Sequence, residues 1–298
     1  QKQSRPGRTR GAEAVFQPEG GQGEGIAMKD VKCLAQNLRI YGYLLSTSFR
    51  QRMAYRAGVW MEILHGGLFV FLQGSLWTAL IATGYAEASL QEMITYVIIN
   101  SLVGYLTAFN ATSVISQRVD DGSIASDLIL PIRFKWKIFF ENMGENLFNF
   151  LFSGVLSMVV ALLLYRAAGP ASAIGLAGFL LSILFGIFIS YHILYLFAMS
   201  AFWVTKPWYI QTLVIALTRL FGGGVIPIWL YPDWLKAMSD VLPFRFITYE
   251  PIQIFLGNIQ GVEILHCLMM QWISLIVLVL IEKIIWRKAA NRVFVQGG

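Results

Sequence analysis

The sequence predicts an all-α membrane protein with six transmembrane helices, and composition and hydropathy patterning both lead to this class. Hydrophobic residues make up 56% of the 298 residues and charged residues only 13%, about half the charged fraction of an ordinary soluble domain. Collagen-like, coiled-coil, disordered and disulfide-scaffold classes are excluded by the same figures. Six apolar stretches approach or exceed the roughly 20 residues that a helix needs to cross a bilayer. The predicted spans are 59–83, 93–116, 147–165, 171–204, 208–230 and 264–282.

Segments of different composition flank these spans. Residues 1–27 are rich in Gly, Gln, Arg and Glu, which predicts a disordered N-terminal extension because such a segment buries too little apolar surface to fold. Residues 28–57 carry apolar side chains at spacings of three and four beside a basic face. This pattern predicts an amphipathic connector helix at the membrane surface, or alternatively a soluble helix packed on a partner. Residues 58–286 form the predicted membrane domain, and 287–298 a cytoplasmic tail.

The distribution of Lys and Arg predicts the orientation. The connector helix, the 117–144 loop, Lys206 and the C-terminal tail hold most of the basic residues from Met28 onward. The opposite side holds Arg166, Lys236 and Arg245. Since basic loops remain in the cytoplasm, both termini are predicted to be cytoplasmic, which six spans allow. The positive balance therefore indicates attraction to membrane lipids rather than to nucleic acid.

Several kinds of chemical site are not predicted by the sequence. Cys33 and Cys267 lie far apart, and the three histidines are separated by more than seventy residues each, so no paired-ligand metal motif is present. No lysine is followed by Ser or Thr, which excludes the phosphate-binding loop of P-loop ATPases. No GxSxG or HExxH motif occurs either. We therefore expect no catalytic, cofactor or metal site on this chain.

The loop after the second predicted span contains a turn and a short helix. Asp121-Gly122 favours a turn, Ser123 is placed to cap a helix, and Pro131 requires that helix to end before it. Such a short helix, held away from the membrane, is suited to docking. An ordinary solvated connector is the alternative.

The same short helix carries both apolar and acidic residues. Ile124, Leu128 and Ile129 are predicted to offer an apolar face to a partner. The carboxylates of Asp120, Asp121 and Asp127 are predicted to meet basic residues of that partner.

A second break is predicted near the end of the fifth span. Gly222, Gly223, Gly224 and Pro227 interrupt the apolar run, because glycine and proline both disfavour a continuing helix. Pro232 and Pro243 bracket a further short segment, and three aromatic residues mark a membrane interface. The predicted structure is a re-entrant or interfacial hairpin before the last span. The aromatic residues are Trp229, Tyr231 and Trp234.

This arrangement resembles the permease subunits of ABC-2-type ABC exporters, over roughly residues 30–290. Their coupling loop commonly has Arg, an acidic residue, Gly, Ser or Thr, an aliphatic residue and a Pro nine positions after the Gly. The family's acidic residue three positions after the Gly is replaced here by Ala125, and Asp127 follows two positions later. This shift implies a position away from the best-known members and nearer a divergent bacterial branch. The matching residues are Arg118, Asp121, Gly122, Ser123, Ile124 and Pro131.

The resemblance implies partners and a mechanism. It implies cytoplasmic ABC ATPase subunits that bind ATP and Mg, and a second permease, either a copy of this chain or a sister chain. It also implies a location in the bacterial inner membrane and export through facing permeases, with ATP closing the ATPases and the 117–144 loop transmitting the motion. An ion-coupled secondary transporter is the first alternative, although inverted repeats and midplane carboxylates are not apparent. An integral membrane enzyme acting on lipid is the second.

Polar residues within the predicted spans are candidates for the transport path, because such residues are expensive in lipid. Glu62 and His65 share a helix face near the cytoplasmic end of the first span. Arg219 is predicted to lie midway along the fifth span, where it either lines the path or pairs with a neighbouring helix. His192 is predicted to be a packing residue, and Glu282 to reach towards the membrane surface.

Overall fold

The protein is described here by a computed structural model that covers residues 22–54, 56–84, 89–164, 168–202 and 208–296. The described part contains helices and no strand. The helices are α1 (Gln22–Ala54), α2 (Arg56–Ala82), α3 (Leu90–Thr107), α4 (Ala111–Asp120), α5 (Ile124–Ile129), α6 (Phe134–Asn149), α7 (Val155–Leu164), α8 (Ala173–Ala198), α9 (Trp208–Phe221), α10 (Asp233–Val241), α11 (Tyr249–Leu256) and α12 (Val262–Gln296).

The chain divides into two units, residues 1–40 and 41–298. The first unit contributes the beginning of α1, which starts at Gln22. Part of the stretch predicted to be disordered, residues 22–27, is therefore helical, whereas residues 1–21 lie outside the described part. The second unit contains the core and every site discussed below.

Four of the described helical segments are long and apolar enough to cross a membrane. They are Gly58–Ala82, Leu90–Asp120, Ala173–Ala201 and Val262–Lys288, and they correspond to the first, second, fourth and sixth predicted spans. The described residues thus form an all-α structure with the helices of a multi-pass membrane protein. The other two predicted spans take different forms.

The third predicted span is part of a longer helical run. The helix α6 begins at Phe134, continues through a π-helical segment at Phe150–Gly154 and passes into α7, which ends at Leu164. A π segment widens one turn without ending the helix. The predicted span 147–165 occupies only the second half of this run.

The fifth predicted span ends early. The helix α9 stops at Phe221, and turns follow through Gly222 and Gly224. The 14 residues of α9 are fewer than a single span needs. The remainder of 208–230 is a loop with a 3₁₀ turn at Ile228–Leu230.

Aromatic packing fills the core around α8. Tyr191 is fully buried, and its ring contacts Phe109 of the α3–α4 connection and Phe139 of α6 at centroid separations of 5.2 and 4.9 Å. Phe139 in turn stacks on Phe188 at 5.5 Å. Such pairs add to the energy of burial, so α8 is the central helix of the second unit.

Close helix contacts depend on glycine at two positions. A Cβ atom at Gly144 of α6 would lie 2.3 Å from the carbonyl oxygen of Leu45 in α1. A Cβ atom at Gly186 of α8 would lie 2.8 Å from the carbonyl oxygen of Ile247. Both obstacles are backbone atoms, so a larger residue at either position would force the elements apart.

Candidate functional site

The loop between α4 and α6 has the predicted turn, but the hydrogen bonding at the start of α5 is different. Gly122 adopts φ +75°, as the Asp-Gly turn requires. The Ser123 side chain makes no capping bond; instead, the Ser123 backbone N–H donates to Asp121 Oδ1 at 2.9 Å. Hydrogen bonds from Ser123 hold the pKa of the exposed Asp121 carboxyl below its usual range. The helix ends at Ile129, two residues before Pro131.

Four charged side chains fasten α5 to its neighbours, and we call this set the α5 clamp: Arg118, Asp127, Lys137 and Glu141. Arg118 lies 2.5 Å from Asp127 and 2.6 Å from Glu141. Lys137 lies 2.5 Å from Asp127 and 3.4 Å from Glu141. Both basic residues that contact Asp127 belong to α4 and α6 of this chain, and a contact between Asp127 and basic residues of a partner stays a prediction.

The apolar residues of α5 are divided between the core and the surface. Ile124 is 7% exposed and belongs to the core, which corrects its predicted place on a docking face. Leu128, Ile129 and Leu130 are 39%, 84% and 42% exposed. We call these three residues the α5 edge. They form an uncovered apolar surface on a rigidly attached short helix.

A second polar cluster joins α6, α8 and α12 near the clamp. Lys135 Nζ lies 2.8 Å from the Glu282 carboxylate, and His192 Nδ1 donates to the same carboxylate at 2.6 Å. The Tyr191 hydroxyl donates to the Lys135 carbonyl at 2.5 Å. Burial lowers the pKa of Lys135, and Glu282 opposes that shift. Glu282 is therefore an internal partner, not the surface-seeking side chain predicted from its position.

A cavity of about 510 Å³ lies among α2, α3, α8 and α9. Its volume is in the range that accommodates a small organic molecule. Apolar atoms supply most of the surface of the wall, and polar groups are distributed among them. The polar and charged lining residues are His65, Gln73, Asn100, Ser101, Thr107, Asn110, Ser190, Thr218, Arg219 and Thr248.

The α3–α4 break borders one end of this cavity and was not predicted. Residues 108–110 interrupt the second span, which leaves backbone groups without helical partners. Asn142 Oδ1 accepts from the Asn110 N–H at 2.7 Å, and Gln211 Oε1 accepts from the Ser113 N–H at 2.8 Å. The Ser190 hydroxyl donates to the Thr107 carbonyl at 2.8 Å. Side chains from α6, α8 and α9 thus replace the missing helical bonds.

The α9 break borders the cavity near Gly224. The Tyr96 hydroxyl donates to the Gly223 carbonyl at 2.6 Å, and Asn100 Nδ2 donates to the Gly224 carbonyl at 2.9 Å. Arg219 lies two residues before the end of α9 rather than midway along a span. The prediction that Arg219 lies midway along the fifth span is wrong, because α9 ends at Phe221 whereas the apolar stretch continues to residue 230.

The segment after α9 follows the predicted prolines. Pro227 precedes the 3₁₀ turn, Pro232 precedes α10, and Pro243 begins a second 3₁₀ turn at Pro243–Phe246. The next helix, α11, is buried along most of its length and packs on α8. The segment after α9 therefore contains one helix that is mostly exposed, α10, and one that is mostly buried, α11.

The structure brings His65 and Arg219 to the same cavity, although they are far apart in sequence. Glu62 lies in α2, and its side chain is outside the described part. Sequence reasoning missed Asn100 and Gln211, which support the two helix breaks; their only signal was polarity within an apolar stretch. Among the described residues, no group of three or more His, Cys, Asp or Glu side chains could hold a metal ion.

The sequence matches one family profile, described as ABC-2 family transporter protein, over residues 69–297. The match covers more than half of the chain and includes the clamp, both helix breaks and the cavity-lining residues other than His65 and Gly66. The chain belongs to the ABC-2 transporter family. Permeases of this family generally work with ABC ATPases and are transport subunits rather than enzymes. Neither a curated protein nor a solved structure matches the chain.

Proposed function

We propose that this ABC-2 protein is the membrane permease of an ATP-driven exporter in a bacterial cell membrane. In this proposal the chain crosses the membrane six times with both termini in the cytoplasm, and it pairs with a second permease and two ABC ATPase subunits. In this proposal the continuous α6–α7 run supplies a fifth crossing, and the short α9 together with the loop that follows it supplies the sixth. The excess of Lys and Arg on the α5 side supports the orientation.

The α5 edge is the observation that carries the proposal. Ile129 is 84% exposed, and its loop is too basic to belong to the outer side of the membrane under the positive-inside rule. An apolar side chain exposed to water on a rigid loop suits a groove on a protein partner. The family supplies the partner class, an ABC ATPase.

The α5 clamp supplies a route from that partner into the membrane. Arg118 belongs to α4, and Lys137 and Glu141 belong to α6. A displacement of α5 by the ATPase would therefore pull on both helices through Asp127. The helix α4 leads to the α3–α4 break at the cavity, and α6 leads to Asn142, which holds that break. ATP-driven motion can reach the cavity along these two helices.

A pair of variants tests the docking assignment. Ile129→Asp places a charge on the α5 edge, and Val241→Asp places the same charge on α10, where Val241 is 85% exposed. The chain is purified with the ABC ATPase encoded nearest to it, and the retained ATPase is quantified. We expect Ile129→Asp to lose the ATPase and Val241→Asp to keep it. Equal retention by both variants would show that α5 is not the docking element.

A further inference from the structure

Arg219 is a permanent cation in the wall of the cavity. It lies in the last turn of α9, and its residue lines the cavity together with Thr218 from the same helix. A guanidinium has five N–H donors and no acceptor, and it remains protonated under all ordinary conditions. Arg219 is exposed at the cavity wall, so its charge is open to a ligand, to water or to lipid headgroups.

The described protein supplies no such anion. None of the residues that line the cavity is Asp or Glu, and within the described part Arg219 forms no ion pair. The carbonyl end of α9 provides at most about half an elementary charge of compensation. By contrast, Arg118 and Arg245 each contact two carboxylates. Within the described part, Arg219 thus has a charge that an anion in the cavity can neutralise.

Three of the lining hydroxyl groups do not compete with Arg219 for the role of principal donor. The hydroxyl protons of Ser101, Ser190 and Thr218 are donated to backbone carbonyls. These hydroxyls can therefore accept from a ligand but have already used their own protons. Much of the remaining wall is apolar, with Phe69 and Ile215 as examples. The cavity combines one strong anion-binding group with a predominantly apolar surface.

We infer that the cavity binds an amphipathic anion, a molecule with one carboxylate, phosphate or sulfate group and an apolar body. Arg219 is the counter-ion for the anionic group, and the apolar wall receives the body. As a statement about the exported substrate, this rests on the proposed function. The anion could enter from the bilayer as a lipid or from the cytoplasm as a soluble amphiphile, and the chemistry of recognition is the same.

A matched pair of fluorescent probes tests the charge requirement. The chain is reconstituted without an ATPase into nanodiscs of zwitterionic phosphatidylcholine, and binding of dansyl-undecanoic acid is compared with that of its uncharged methyl ester. We expect the acid to bind at least tenfold more tightly than the ester. Equal affinity would overturn the inference, because an apolar chamber without a counter-ion would not distinguish the two probes.

Substitutions locate the binding site. Arg219→Gln is expected to weaken binding of the acid at least tenfold and to leave the ester unchanged, while Arg219→Lys restores most of the preference. Lys236→Gln, which neutralises an exposed cation of α10, is the matched control and should bind like the parent. Gly104 lines the cavity and has open space where a Cβ would be, so Gly104→Leu should weaken both probes. An acid preference that survives Arg219→Gln in a protein that elutes like the parent would overturn the inference.

Competition identifies the source of the anion. Displacement of the acid by phosphatidylglycerol added to the nanodiscs assigns the site to a bilayer lipid, and displacement by soluble octyl phosphate alone assigns it to a cytoplasmic amphiphile. If neither compound displaces the acid, the inference fails. Because no ATPase is present, this failure is distinct from the failure of Ile129→Asp to release the ATPase, which would overturn the proposed function.

Discussion

The position of α5 depends on Asp127, and Asp127→Asn tests this dependence. The carboxylate lies 2.5 Å from both Arg118 and Lys137, and the three side chains are 12–20% exposed. The amide of Asn keeps the shape of the side chain but removes the negative charge. Both basic residues then retain Glu141 as their acidic partner, since Arg118 lies 2.6 Å and Lys137 3.4 Å from it.

The expected effect follows from the number of bonds weakened. A hydrogen bond involving a charged group contributes about 1.5–3 kcal/mol. Two are weakened here, while Glu141 compensates in part, so α5 should lose about 2 kcal/mol of attachment, equivalent to about 30-fold in the equilibrium for local opening. The ordering of α5 should therefore change without a change in the membrane helices.

Hydrogen exchange measured by mass spectrometry reports the equilibrium between the attached and the opened α5. Within α5, the Ala125 and Asp127 N–H groups donate to the Gly122 and Ser123 carbonyls at 3.3 and 3.2 Å. Their exchange should accelerate about 30-fold in Asp127→Asn. Asp120→Asn is the control, because Asp120 is exposed and makes no ion pair in the described part. Equal exchange in the two variants would refute the role assigned to the clamp.

Three further predictions concern packing, electrostatics and topology. Gly186→Ala should lower the melting temperature in detergent by an amount equivalent to about 1–3 kcal/mol, because the new methyl group meets the Ile247 carbonyl. Gly67→Ala is the control and should leave the melting temperature unchanged, because a Cβ at Gly67 has open space. Equal melting temperatures for the two variants would contradict the close contact between Gly186 and Ile247. Glu282→Gln should lower the free energy of unfolding by about 1.5–3 kcal/mol, because Lys135 and His192 lose their shared carboxylate. Without Glu282 the pKa of Lys135 falls further, so between this lowered folded pKa and the unfolded value of 10.5 the folded state binds fewer protons than the unfolded state. In that pH window the melting temperature of this variant should rise with pH more steeply than that of the parent, and parallel curves would contradict this reasoning. Reporter fusions at Tyr85, Ala168 and Asp240 should report outside, and fusions at Ser126, Lys206 and the C-terminus inside; an outside signal at Ser126 would reject the orientation.

Local chemistry made much of the fold predictable. The Asp121-Gly122 turn and the end of α5 before Pro131 follow from backbone preferences of the residues themselves. The end of α9 near Gly222 follows from the same preferences. Each of these features is determined within a few residues, which is the range over which sequence patterns are informative.

Partners that are distant in sequence were not predictable in the same way. Lys135 and Glu282 are 147 residues apart, and either could have been a surface residue until the fold placed them together. The α3–α4 break contains neither Gly nor Pro, so its own residues do not signal an interruption. The break is stabilised by hydrogen bonds to its backbone from side chains of other helices, namely Asn142, Ser190 and Gln211. Tertiary hydrogen bonding here overrides the helical preference of an apolar stretch.

Division of the transport path between two permeases also remains a prediction. The cavity is bordered by α2 and α9, two helices with many exposed apolar residues. These faces suit either lipid or a second permease, since both are apolar. Cross-linking between cysteines introduced at Leu68 of two copies should form a dimer if the α2 faces meet, whereas Leu265→Cys on α12 should remain a monomer. Cross-linking at Leu265 and not at Leu68 would place the second permease against α12 rather than against α2.

The most direct test of the central claim is ATP hydrolysis in liposomes that contain the ABC ATPase encoded beside the chain, with and without this permease. We predict that the parent chain and Val241→Asp recruit the ATPase to the membrane and stimulate its hydrolysis of ATP, whereas Ile129→Asp does neither. In the same liposomes, uptake of dansyl-undecanoic acid should require ATP and the ATPase. Uptake driven by an ion gradient with the permease alone would contradict the account and establish a secondary transporter instead.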